Sequence, residues 1–156
     1  MSNKISRNTF TMINPPTIHS YAAVVGKKEG EGPLSSCFDR IEEDSYFGQD
    51  TWEKAESELQ KQTVELALSK VKLIPENVDF MFAGDLLNQC IGSTYALKDL
   101  NIPLLGIYGA CSTMAEGLLL SSIMTDNGLG GNIIAVTSSH FCTAERQFRL
   151  PLSYGG

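Results

Sequence analysis

The chain has 156 residues, 42% hydrophobic and 19% charged, which fits one globular domain and excludes a disordered composition. Its net charge is −6 and Lys27-Lys28 is the sole adjacent basic pair, so no surface is offered for neutralising nucleic-acid phosphates. Four cysteines, at positions 37, 90, 111 and 142, form no CxxC or other zinc spacing, so no metal site is expected. Residues 1–16 lack the apolar segment of a secretory signal, and reduced thiols in an intracellular compartment are expected. Glu116 and Asp126 bracket the apolar stretch 118–124, far short of the ~20 residues that a membrane span needs.

In chain order, residues 1–16 are polar, close on Asn14-Pro15-Pro16, and read as an extended leader to a domain over 17–156. Residues 17–25 (TIHSYAAVV) predict the first strand, with His19 as a structural residue within it. Residues 26–33 are glycine-rich and charged but lack the order of a phosphate loop, which predicts a turn. Residues 35–49 mix acids with Tyr46 and Phe47 and read as an irregular loop. Asp50-Thr51-Trp52-Glu53 is a capping-box signal for the longest helix, running to about Leu73. Trp52, Ala55, Leu59, Thr63, Leu66 and Ala67 recur on it at helical spacing and predict one buried face, and Pro75 ends it. A strand over 78–83 leads to Gly84-Asp85, and a short helix over 91–100 follows. Then come a strand over 104–108, a helix beginning at Cys111-Ser112-Thr113, and a strand over 132–138. This alternation predicts an α/β fold: a mainly parallel sheet with right-handed crossovers and helices on both faces.

The stretch 103–127 organises the rest. A short apolar strand, the small-residue turn Gly109-Ala110 and a helix put Cys111 at a corner, where first-turn N–H groups would favour a thiolate. Cys111 is equally readable as a small buried residue filling a strand–helix junction. Thr113 and Glu116 fit a capping box, which would give Glu116 a structural role. In open parallel sheets ligands gather beyond the carboxyl ends of the strands, and Asp85, Cys111 and His140 each fall just past one. Asp85 fits a ligand carboxylate or a helix cap. His140 fits a partner for a carboxylate or for the Cys111 thiol, or a satisfied loop histidine. Arg146 and Arg149 flank Gln147-Phe148 and fit bidentate carboxylate binding, or a solvated or dimer-facing role. Cys90 and Cys142 receive no role.

GACSTMAEGL, at 109–118, resembles the active-cysteine segment of the thiolase superfamily. HFCTAERQFRLPLSYG at 140–155, with AGDLLNQ at 83–89, resembles the stage V sporulation protein AD family, thiolase-like proteins of spore-forming bacteria. That resemblance implies a thiolase-like fold of two similar halves, of which this chain would supply the amino-terminal one without the second. It implies binding of dipicolinic acid, with or without calcium, and support of its uptake into the developing spore. Asp85, Cys111, His140 and Arg146 would line the pocket, with no cofactor. Other stage V sporulation channel proteins would be partners, and the forespore, peripheral to its inner membrane, would be the location. An alternative is a thiolase-type acyltransferase with Cys111 as nucleophile and His140 supporting its thiolate, although an oxyanion hole and a base are not evident here. A third reading is a dimerising fragment without a ligand. The helix from Ser112 to Met124 is apolar on most faces and suits burial on every side; without a matching second half it would be partly bare, which predicts association into a homo-oligomer or poor solubility.

Overall fold

The polar first residues do not run as an extended leader. β1 (Asn3–Ser6) folds back antiparallel on β2 (Thr9–Thr11), with Asn3 opposite Thr11. Every β2 side chain is exposed, so the ribbon has no buried face whose alternation could have revealed it. The structure, a computed structural model, describes residues 3–87 and 90–148. Beyond the ribbon, the Asn14 N–H donates to Asp126 Oδ1 at 2.6 Å and ties this segment to the domain.

Of the expected first strand only β3 (Val24–Gly26) forms. It pairs in parallel with β4 (Arg40–Glu42), inside the stretch expected to be an irregular loop. Between them the expected turn contains a single helical turn, α1 (Lys27–Gly30), and a further 3-10 turn at Ser35–Cys37. His19 lies outside any strand.

The long helix forms as expected, as α2 (Trp52–Lys70), with its cap one residue later than the capping box implies. Thr51 Oγ1 accepts from Lys54 N at 3.3 Å, while Asp50 pairs with the Lys54 ammonium at 3.1 Å. A 3-10 turn at Pro75–Asn77 leads into β5 (Phe80–Gly84). Then follow α3 (Ile91–Leu97), β6 (Leu104–Gly106), α4 (Thr113–Asp126), β7 (Ile133–Thr137) and α5 (Phe141–Phe148).

β5 is the central strand of a parallel sheet in the order β6-β5-β7, with Met81 opposite Leu104 on one side and Ile134 on the other. Its near-continuous apolar run is what a strand covered on both faces requires. Met81 and Ala83 point into the main core, against Val64 and Leu68 of α2 and Ala96 and Leu97 of α3. Phe82 and Gly84 face the other way, towards α4. The molecule is therefore an α/β protein with a parallel sheet and helices on both faces.

α4 approaches the sheet through its smallest residue. A Cβ on Gly117 would meet Ala135 Cβ at 3.2 Å, so a larger residue would push α4 and β7 apart by a few tenths of an ångström. Thr113 and Gly117, four apart, form the buried edge, while Met114, Leu118 and Leu119 are exposed. As expected for this helix without a covering half, it is buried on one side and partly bare on the other. No helix among the described residues is long and apolar enough to cross a membrane.

Candidate functional site

The sheet order brings the ends of β6, β5 and β7 together, and the three candidate residues arrive there from different strands. Ile107 N–H donates to Ala83 carbonyl at 2.8 Å and Ser138 N–H to Gly84 carbonyl at 3.1 Å, which extends the pairing past the strand ends. Gly84 is the hinge point of this edge. A Cβ there would stand 2.2 Å from the Ile107 carbonyl oxygen and 2.5 Å from Thr113 Cγ2, so no other residue fits without moving backbone.

Asp85 is 1% exposed and its carboxylate is fully occupied by its own chain. Oδ1 accepts from Leu87 N at 2.8 Å, and Oδ2 accepts from both Ser93 N and Ser93 Oγ at 2.6 Å. Ser93 is the third residue of α3, so Asp85 caps that helix from outside the usual position. The helix needs such help because Cys90, at its N-cap, has φ 56° and makes no side-chain cap bond. Of the two sequence readings of Asp85, the structure displays the cap.

His140 is likewise enclosed. Its Nδ1 accepts from Cys142 N at 3.3 Å, which leaves Nε2 to donate to the Ser45 carbonyl at 2.7 Å. Trp52 and Phe141 lie at 5.5 and 5.4 Å from its ring, and Phe47 meets it edge-on. The imidazole therefore pins the 44–47 loop over the start of α2 and α5. No hydrogen bond joins it to Cys111 among the described residues.

Cys111 differs from both. It sits in a 3-10 turn, Ala110–Ser112, ahead of α4 rather than in its first turn, and it is exposed. The expected capping box does not form. Ser112 is the N-cap residue, but its Oγ donates back to the Gly109 carbonyl at 2.7 Å, and Thr113 Oγ1 accepts from Gly109 N at 3.2 Å. Ala110 is held at φ 48°, a left-handed conformation that costs a side-chain-bearing residue on the order of 1 kcal/mol. Thr113, buried against Gly84, anchors this turn to the end of β5.

Arg146 is on α5, and its side chain, with the whole of Arg149, lies outside the described residues. All four cysteines carry thiols rather than disulfides. Cys90 is buried and donates to the Ile107 carbonyl at 3.2 Å, and burial, followed by the charge of Asp85, pushes its thiol pKa up.

Between Asp85 and His140 runs a buried polar network that no sequence motif announced. Gln60 Nε2 donates to Gly84 O, Ser93 Oγ and Ser138 Oγ at 3.1 to 3.2 Å. Ser138 Oγ in turn donates to Glu56 Oε1 at 3.0 Å, and Thr143 Oγ1 touches Glu56 Oε2. Burial pushes the Glu56 carboxyl above the usual carboxylate range. The hydroxyls of Thr143 and Ser138 oppose that rise and the Asp85 charge adds to it. Glu56 and Gln60 directly follow Ala55 and Leu59, four apart on the buried stripe of α2, and this placement was the available signal. A cavity of ≈ 240 Å³ opens beside this network, between Ala22–Val24 and Thr137–Ser139, with Gln60 in its wall. The Gln60 Oε1 has no hydrogen-bond partner. A larger groove of ≈ 400 Å³ between α2 and α3 contains none of the candidate residues.

Together these features define a class: an α/β protein whose parallel strand ends carry an exposed thiol on one flank and a sealed polar network on the other. The family described as Stage V sporulation protein AD matches residues 6–156. Over 150 residues the chain is 41% identical to the Stage V sporulation protein AD of Bacillus subtilis (strain 168). That alignment covers 96% of this chain and 44% of the relative, so the chain spans less than half of the relative's length. The chain belongs to the stage V sporulation protein AD family, a family of sporulation proteins.

Proposed function

We propose that this chain is part of a thiolase-like sporulation protein that binds dipicolinic acid and supports its uptake into the developing spore. Family membership supports the sporulation role, and the exposed Cys111 turn, which follows β6 and is anchored through Thr113 to the end of β5, is the observation that carries the site. In this reading Cys111 lines the pocket. Asp85 and His140 shape it from behind, since their polar atoms are already bonded within the chain. Arg146 supplies a guanidinium for one carboxylate of the ligand, and calcium joins the complex where the second carboxylate stays uncovered. Other stage V sporulation channel proteins complete the assembly, peripheral to the inner membrane of the forespore. The exposed Met114, Leu118 and Leu119 of α4 give it a face for self-association.

Calorimetric titration of dipicolinate, with and without calcium, tests this reading. Saturable heat that weakens in Cys111→Ala and in Arg146→Ala is expected. A folded sample that gives no heat under either condition would count against a pocket in this chain.

The exposure of Cys111 on a strained turn also favours a second reading, acyl transfer. Its thiolate would attack a thioester carbonyl, expelling the thiol and leaving an acyl-cysteine. Incubation with an acetyl thioester and intact-mass measurement would reveal the added acetyl group. An unchanged mass would remove this reading.

A further inference from the structure

Glu56 has no exposed surface, and no lysine, arginine or histidine pairs with it among the described residues. Of the elements packed against α2, β3 and β7 carry no ionisable side chain. α3 contributes Tyr95, which is exposed, with Asp85 and Cys90 at its entrance. α5 contributes His140 and Cys142 at its start among the described side chains.

Burial without a cationic partner argues for a proton on this carboxyl, and the hydrogen bonds around it have room for one. Thr143 Oγ1 touches Glu56 Oε2 and also lies 2.8 Å from the His140 carbonyl oxygen. A hydroxyl carries one proton. If Glu56 were a carboxylate, Thr143 would turn its proton to Oε2 and leave the His140 carbonyl to the N–H groups of Thr143 and Ala144, at 3.1 and 2.9 Å. If Glu56 is a carboxylic acid, its Oε2–H donates to Thr143 Oγ1, and Thr143 donates onward to the His140 carbonyl. Both Thr143 hydroxyl contacts then have their own proton. Ser138 still donates to Oε1, and no unpaired charge is buried beside Asp85.

We propose that Glu56 is held as a neutral carboxylic acid and acts as a proton-dependent latch, clamping the turn from Ser138 to Thr143 against α2. When it ionises, Thr143 turns its proton from the His140 carbonyl to the carboxylate, and a charge with no cationic partner faces Asp85 inside the protein. The turn carrying His140 then loosens. This inference stands apart from the identity of any ligand.

The direction of the pH effect follows from linkage. A carboxyl whose folded pKa lies above its unfolded value of about 4.3 contributes stability that is complete below that value. The contribution is lost as pH rises through the folded pKa, with the folding constant falling about tenfold per pH unit in between. Denaturant unfolding across pH should therefore distinguish three proteins. Glu56→Gln keeps both a donor and an acceptor, so it should match wild type at low pH and exceed it above the window. Glu56→Ala should be less stable than Glu56→Gln at every pH. The carboxyl carbon shift of Glu56, followed by NMR in the wild type, reads the same proton without any substitution and decides the matter if a variant does not fold. Titration of that carbon at or below about 4.3 would overturn the latch. So would a Glu56→Gln variant as unstable at neutral pH as Glu56→Ala.

Discussion

The two flanks of the sheet's carboxyl edge are built on opposite plans. On the β5–β7 flank, Asp85, Ser93, Ser138, Thr143, Glu56 and Gln60 are buried and bonded to one another under α2, with Gln60 Oε1 left over. On the β6 flank, the Cys111 turn is hydrogen-bonded, among the described residues, to its own neighbours, and Cys111 faces solvent. Both flanks place polar residues just beyond strand ends, yet one is a seal and the other an open surface. Position at a strand end therefore marks where chemistry can happen, and the covering helix decides whether the side chain is free to take part.

Three substitutions would break or sharpen that contrast. Gly84→Ala strikes the point shared by both flanks, because its new Cβ would press on the Ile107 carbonyl and on Thr113. The expected loss is about 3 kcal/mol or more, read by denaturant unfolding, with both flanks disturbed together. A variant as stable as wild type would show that the close approach at Gly84 is not needed. Asp85→Ala strikes the sealed flank alone and leaves the Ser93 and Leu87 donors without an acceptor. About 2–3 kcal/mol should be lost, with α3 amides exchanging faster than those of α4. Cys111→Ala, on the open flank, should change stability by less than about 0.5 kcal/mol. The same contrast predicts that iodoacetamide modifies Cys111 well before Cys90, whose buried thiol is engaged with the Ile107 carbonyl. Peptide mass mapping against time would measure this, and equal rates would abolish the distinction.

Much of this architecture is written in local pattern. Trp52, Ala55 and Leu59 announce α2, and the apolar runs at 80–84, 104–106 and 133–137 announce the sheet because strands covered on both faces need no alternation. Topology then draws Asp85, Cys111 and His140 to one edge. The sequence was silent on their surroundings. Glu56 and Gln60 look like the solvent side of a helix until α5 and the 138–143 turn are laid over them. The pairing of β3 with β4 was hidden for another reason. Arg40-Ile41-Glu42 is the more exposed strand of a half-buried two-stranded ribbon, and its own residues carry little hydrophobic pattern to announce it. Resemblance at 83–89 and 140–155 supplied the family, though residues 88, 89 and 149–155 of those motifs lie outside the described part.

The order β6-β5-β7 also has a consequence for how the chain assembles. The middle strand is the first of the three to be synthesised, and its two edges are completed by segments that arrive later and separately. β6 closes a shorter loop onto β5 than β7 does, so its pairing faces the smaller loss of chain entropy. On refolding, β5 amides facing β6 should gain protection from exchange before those facing β7. The polar network, which needs Ser138 and Thr143, would then be the last part of the carboxyl edge to close.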